Sequence, residues 1–257
     1  MIFAFGCNKS WYKYLVISLY SLLRTNKNTK KIYLLLETDN IDDVPNLRYL
    51  ANKHSNVEFV LINFKNERNK YVTGDNPNVD TVYTDFAFCK LVLADYVKED
   101  RVIYLDTDAI VTKDITRLWE WDIQDYYVAG CRDLGVINSS YFKELDIKGK
   151  YINTGMMLLN LKKIREDVII PRIFKLLNEK ELKYPDQDAF NTICTDKTIY
   201  VPSIYNHAYA ITNQAGRIDS VKIWHFAGPK EQWIVNLSYA EIWYDIEEEF
   251  YFELKNQ

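Results

Sequence analysis

Short apolar, β-branched runs alternate along the chain with stretches whose apolar positions recur every three or four residues, and that alternation sets the expected fold. Ile2–Gly6 reads as a strand and Cys7-Asn8-Lys9-Ser10 as the loop after it. Tyr12–Thr25 carries Leu15, Leu19, Leu22 and Leu23 at helical spacing and reads as a helix. Lys31–Leu36 reads as a buried strand, residues 44–53 as a helix and residues 57–62 as a further strand. Strands alternating with helices imply right-handed crossovers and an α/β fold, a Rossmann-like and mostly parallel central sheet flanked by helices. Ligands of such sheets sit beyond the carboxyl ends of the strands.

Residues 65–82 are polar and contain Gly74 and Pro77, so they read as a loop long enough to serve as a lid. Residues 83–97 look helical, carry Lys90 and lead into the apolar run 102–111, within which Asp106 and Asp108 stand one residue apart. A turn or short helix is expected over 114–119, and a strand over 126–131 that ends at Arg132-Asp133. Tyr151-Ile152-Asn153-Thr154-Gly155 precedes a strand at 156–161, and a helix over 162–179 is expected to break or kink at Pro171. Pro185-Asp186-Gln187-Asp188 opens another helix, with Asp186 or a neighbour as its N-cap. Strands follow at 197–201 and 221–226, the second ending in His225. The whole of 1–257 reads as one domain with a small aromatic, acidic C-terminal segment at about 238–257.

Composition narrows the function classes. With 26% charged and 48% hydrophobic residues the chain is an ordinary globular protein. A net charge of −4 leaves no electrostatic footprint for nucleic acid. Cys7, Cys89, Cys131 and Cys194 lie far apart, without the spacing of a zinc cluster or a redox pair, and read as small buried hydrophobes. Neither a leader peptide nor a transmembrane run is evident, so a cytoplasmic location is expected. The acidic tail disfavours adsorption to an anionic bilayer, and peripheral membrane contact is not signalled. Oligomeric state is left open.

The chemistry concentrates at Val102-Ile103-Tyr104-Leu105-Asp106-Thr107-Asp108. A buried strand that delivers two carboxylates to the rim of a sheet suits a hard divalent cation, Mg²⁺ or Mn²⁺, which keeps positions open for phosphate oxygens. His225, followed by Ala227-Gly228-Pro229-Lys230, sits before a loop that could present backbone donors and one cation to a phosphate.

These motifs, in this order, resemble the family 8 retaining glycosyltransferases, the group that includes bacterial lipopolysaccharide galactosyltransferases and glycogenin. The resemblance runs from Ile2 to about Trp233. It rests on Phe3-Ala4 with Asn8, on Lys90-Leu91, on Tyr104-Leu105-Asp106-Thr107-Asp108, on Asn153-Thr154-Gly155, on Asp186-Gln187-Asp188 and on His225-Phe226-Ala227-Gly228 with Lys230. Lys230 stands two residues past the Gly where the family usually places it three past, and Gly6-Cys7 stands where many relatives carry an acidic residue.

The resemblance implies a GT-A fold and a metal-dependent enzyme that moves glucose or galactose from UDP-glucose or UDP-galactose to a glycan or glycosylated-protein acceptor. It implies that Asp106, Asp108 and His225 ligate Mn²⁺ or Mg²⁺, and that Ala4 and Asn8 line a uridine pocket. Lys90, Asn153, Asp186 and Gln187 would surround the donor sugar; Thr107, Thr154, Gly155, Gly228 and Lys230 complete the donor-binding motifs. Asp133 would face the acceptor hydroxyl. Retention needs either a covalent intermediate or attack from the leaving-group face. Gln187 is an amide and a poor nucleophile, and Asp188 is the nearest carboxylate in sequence, so same-face substitution is favoured.

Three other readings stay open: a phosphatase of the haloacid dehalogenase type, a non-catalytic nucleotide-sugar-binding protein, and a self-glucosylating enzyme like glycogenin. The phosphatase places Asp-x-Asp on its first strand and wants Thr or Val two residues past the second Asp, where this chain has Ile110.

Overall fold

The structure, a computed structural model, describes residues 1–67, 70, 71, 76–78, 85–208, 218–228 and 240–256. The expected lid at 65–82 falls largely outside these residues, as do Tyr83, Pro229, Lys230 and Trp233. In chain order the strands are β1 Ile2–Gly6, β2 Lys31–Leu36, β3 Glu58–Asn63, β4 Arg101–Leu105, β5 Ala109–Val111, β6 Val128–Arg132, β7 Ile152–Asn160, β8 Thr198–Tyr200, β9 His207–Ala208 and β10 Ile223–His225. The helices are α1 Tyr12–Thr25, α2 Leu47–Lys53, α3 Leu93–Tyr96, α4 Thr116–Trp119, α5 Leu134–Ile137, α6 Tyr141–Glu144, α7 Leu161–Glu166, α8 Ile169–Glu179, α9 Pro185–Cys194 and α10 Ala240–Lys255.

Seven strands form the central sheet in the order β3-β2-β1-β4-β7-β6-β8. Its pairings are parallel except those of β7, which runs antiparallel to both β4 and β6. That reversal has a consequence for chemistry. The start of β7 lies at the same edge as the ends of β1, β4 and β6, so Asn8, Asp106, Asp133 and Asn153 emerge along one rim.

Alternation along β1 explains the layering. Phe3 and Phe5 face the cluster built with α1 and α10, while Ala4 faces the one built with residues 86–94 and α7 to α9. A side chain such as Phe5, with no exposed surface, contributes about 1.5–3 kcal/mol when fully buried.

The run 102–111 is two strands, not one. β4 ends at Leu105, the chain turns through Asp106–Asp108, and β5 enters a second sheet ordered β5-β10-β9. Periodicity alone does not show this change of sheet, because both halves are fully apolar. Helix α1 fixes the second sheet through buried serines: Ser18 Oγ donates to the Ala109 carbonyl at 2.6 Å, and the Val111 N–H donates to Ser21 Oγ at 2.9 Å.

Local differences from the sequence expectation have local causes. α2 begins at Leu47 because Val44, held extended before Pro45, and Asn46 at φ 63° cannot be helical. The break in 162–179 falls at Val168, φ 51°, and Pro171 lies in the first turn of α8, where its missing N–H costs nothing. Pro185 takes the first position of α9 and Tyr184 the N-cap, so Asp186 is not the cap. Residues 85–92 coil as a 3-10 segment before the short α3.

Asn191 clamps α9 to β7. Its Oδ1 accepts from Ile152 N at 2.7 Å, and its Nδ2 donates to the carbonyls of Ile152 at 2.8 Å and Gln187 at 2.9 Å, all away from solvent. Replacing it by Leu strands those backbone groups, so Asn191→Leu is expected to lower the unfolding free energy by about 2–4 kcal/mol. Urea melts check this; an unchanged midpoint contradicts it.

Candidate active site

The turn between β4 and β5 begins at Asp106, whose backbone N–H donates to the Gly155 carbonyl of β7 at 2.8 Å. Lys90, only 6% exposed, sets its Nζ 2.9 Å from Asp106 Oδ1 and 3.1 Å from Asp186 Oδ2 at the start of α9. Tyr104 donates its hydroxyl to Asp106 Oδ1 at 2.6 Å. Burial works against the charged form of Lys90, yet Asp106 and Asp186 raise its pKa above the ordinary value. Burial likewise disfavours ionised Asp106, but Lys90, His225 and the Tyr104 hydroxyl together hold the carboxyl below its usual range. Burial, with Asp106 beside it, pushes the Tyr104 phenol far up, so Tyr104 stays a donor.

His225 arrives from the other sheet. β10 pairs antiparallel with β5, His225 lies opposite Ala109, and the Phe226 N–H donates to the Asp108 carbonyl at 3.0 Å. The imidazole Nε2 comes to 3.3 Å from Asp108 Oδ1 and 3.8 Å from Asp106 Oδ2. Gly155 makes room for the ring: a Cβ there would stand 2.0 Å from His225 Cε1. The other ring nitrogen, Nδ1, meets Asn206 Oδ1 at 2.9 Å. Burial lowers the imidazole pKa, but Asp108 and then Asp106 offset this and leave it raised.

The donor set fits a divalent cation. Asp106, Asp108 and His225 each offer a ligand atom, all within 4.8 Å of one another. Among the described residues no hydrogen-bond donor reaches the buried Asp108 Oδ1, a costly state for a carboxylate oxygen that a cation would relieve. Mixed carboxylate and imidazole ligation suits Mn²⁺ better than Mg²⁺.

A second polar wall adjoins this cluster. Asp133 caps α5 by accepting from Val136 N at 3.0 Å, and its Oδ2 accepts from Asn153 Nδ2 at 3.1 Å and Gln187 Nε2 at 3.0 Å. Gln187 Oε1 accepts from the Thr154 N–H at 3.1 Å. Asp188 is fully buried, and its two oxygens accept from Tyr151 OH, from Tyr141 OH at 2.6 Å and from Tyr184 N at 2.8 Å. Burial raises its pKa against the opposing pull of those hydroxyls.

Most of the residues singled out in the sequence therefore converge: Lys90, Asp106, Asp108, Asp186 and His225 form one cluster, and Asp133, Asn153, Thr154 and Gln187 form the wall beside it. Thr107 is buried in the turn between the carboxylates. Asn8, half-buried beyond β1, accepts from Ser10 Oγ at 2.7 Å. Ala4 has no exposed surface. Gly228 is exposed at φ 126°, a backbone state that favours glycine, and Lys230 lies outside the described residues.

Asn206 and Tyr151 were missed. Neither belongs to a spaced motif, and Asn206 reaches the site only because β9 pairs with β10. The phenol of Tyr104 was legible only as part of the strand that ends in the carboxylates.

The family model described as glycosyl transferase family 8 matches residues 2–235. A lipopolysaccharide 1,2-glucosyltransferase from Escherichia coli is 25% identical over 253 residues, which cover 94% of this chain and 73% of that enzyme. The crystal structure of an active-site mutant of LgtC superposes with a TM-score of 0.79 at 22% identity, covering 97% of this chain and 96% of that one. The structure of the galactosyltransferase LgtC in complex with donor and acceptor sugar analogs gives 0.76 at 20% identity, with the same two coverages. The shared architecture is the GT-A fold.

Gly155→Ala is expected to displace the His225 ring, at a cost of about 1–3 kcal/mol for overpacking. Thermal melts and the imidazole NMR signals check this; an unmoved His225 resonance contradicts it.

Proposed function

The chain belongs to glycosyl transferase family 8, and from that premise we propose that it is a metal-dependent, retaining hexosyltransferase. Its donor is UDP-glucose or UDP-galactose, and its acceptor is a hydroxyl of a glycan or glycosylated protein. The observation that carries the reading is the buried Asp108 Oδ1, without a donor among the described residues, beside Asp106 and His225, a set that suits a divalent cation at the rim where the sheet's strands end. Mn²⁺ held there would offset charge on the departing diphosphate. The names of the relatives, a lipopolysaccharide glucosyltransferase and a galactosyltransferase with donor and acceptor analogs, support the substrate class.

In this reading Lys90 pairs with both Asp106 and Asp186, so that Asp106 serves the cation and Asp186 faces the sugar. Asn153 and Gln187 line the sugar pocket, held in place by Asp133. Asn8 and the adjoining backbone of β1 receive the uridine. The whole of 1–257 acts as one catalytic unit. Among the described residues no helix is long and apolar enough to cross a membrane. We place the reaction in the cytoplasm, where the free thiols of Cys7, Cys89, Cys131 and Cys194 would stay reduced.

Transfer proceeds on one face of the sugar. The anomeric carbon–oxygen bond to the diphosphate breaks, the acceptor oxygen bonds to the same face, and the acceptor proton passes to the departing diphosphate. The arrangement around Asp188 favours this over a covalent route. A nucleophile must reach the carbon below the sugar, whereas both Asp188 oxygens are committed to Tyr151, Tyr141 and the Tyr184 N–H.

Purified protein with Mn²⁺ is expected to release UDP from one of the two donors, faster with acceptor. EDTA should abolish release, and Asp106→Asn should lower it about 100-fold or more without changing the fold. Metal-independent release of UDP at the wild-type rate contradicts the reading. Intact-mass spectra during turnover should show unmodified protein; a sugar ester on Asp188 would overturn the same-face route.

A further inference from the structure

The hydrogen bonds behind His225 form a directed chain whose polarity is forced from both sides. The carboxylate of Asp133 can only accept, so Asn153 must turn its Nδ2 toward Asp133 Oδ2 at 3.1 Å. The Gly155 N–H can only donate, and it meets Asn153 Oδ1 at 3.0 Å, which fixes the same amide from its other end. Asn153 Oδ1 then accepts a second bond, from Asn206 Nδ2 at 2.9 Å, and the Asn153 carbonyl accepts from the same Nδ2 at 3.5 Å. Asn206, fully buried, is left presenting its Oδ1 to His225 Nδ1 at 2.9 Å. An amide oxygen demands a donor, so the ring proton belongs on Nδ1.

We propose that Asn206 is a positioning residue: with Asn153 and Asp133 behind it, it locks His225 as the Nδ1–H tautomer and aims the bare Nε2 lone pair at the carboxylates. The inference rests on the metal reading for its purpose but not for its geometry. It also bears on Asp108 Oδ1, which lies 3.3 Å from Nε2 and receives no hydrogen bond from the described residues. In the neutral Nδ1–H ring two lone pairs face each other there, an arrangement that a proton or a metal cation makes favourable. The chain also joins the two walls of the site, because Asp133 Oδ2 holds Gln187 Nε2 as well. One carboxylate thereby orients both the cation's imidazole and the amide beside the sugar.

The test is the ¹⁵N NMR spectrum of histidine-labelled protein without metal, read above the imidazole titration. Wild type is expected to show His225 as pure Nδ1–H, assigned by its loss in His225→Ala. Asn206→Leu should release it to a mixture, whereas Asn206→Asp, which keeps an oxygen acceptor, should retain Nδ1–H; thermal melts confirm that each variant is folded. Mn²⁺ titrations followed by electron paramagnetic resonance should then show binding at least about tenfold weaker in Asn206→Leu. An Nε2–H ring in wild type, or an unchanged tautomer and Mn²⁺ affinity in folded Asn206→Leu, overturns the proposal. Wild type that shows the Nδ1–H tautomer but binds no Mn²⁺ upholds the lock and removes the metal reading instead.

Discussion

The site depends on one buried ammonium. Asp106 and Asp186 come from the end of a central strand and the start of a helix, and Lys90 bridges them from the 3-10 segment between. Without it the two carboxylates would face each other with no counter-charge, and like charges repel. With Lys90 in place, at 6% exposure, one ammonium pairs with both carboxylates and the three elements share one rim. A buried pair that loses one partner is costly, so this interaction fixes geometry as much as charge.

Around that bridge the topology does the assembly. The chain leaves β4 at Leu105 and enters the second sheet at Ala109, so the carboxylates occupy the junction of two sheets. Pairing of β5 with β10 carries His225 to that junction, and the missing Cβ of Gly155 leaves space for its ring. The antiparallel course of β7 brings Asn153 to the rim from the opposite chain direction. The carboxylates, His225 and Asn153 thus come from separate stretches of sequence and meet through backbone pairing.

Much of this was legible in the sequence, because strand and helix periods are local. β1, α1 and β2 follow directly from the spacing of Ile, Leu and Tyr, and the carboxylate pair, Lys90 and His225 stand out as charges or imidazole at the ends of apolar runs. What was not legible is tertiary. The run 102–111 conceals a change of sheet, since a strand buried in either sheet has the same composition. Asp186 stands where an N-cap is expected, but the ion pair with Lys90, far away in sequence, claims its carboxylate. Asn206 carries no motif; its role exists only through β9 lying beside β10. Asp188 resembles a free carboxylate in sequence, and only the fold shows both its oxygens engaged.

Asp106, Asp108 and His225 are proposed to hold a divalent cation against a nucleoside diphosphate. The most direct measurement is an anomalous difference map from crystals grown with MnCl₂ and UDP. One strong peak is expected, bounded by Asp106, Asp108 and His225 Nε2, with diphosphate oxygens completing its coordination. UDP bound at this rim with no peak among those three side chains, or a peak elsewhere, would contradict it.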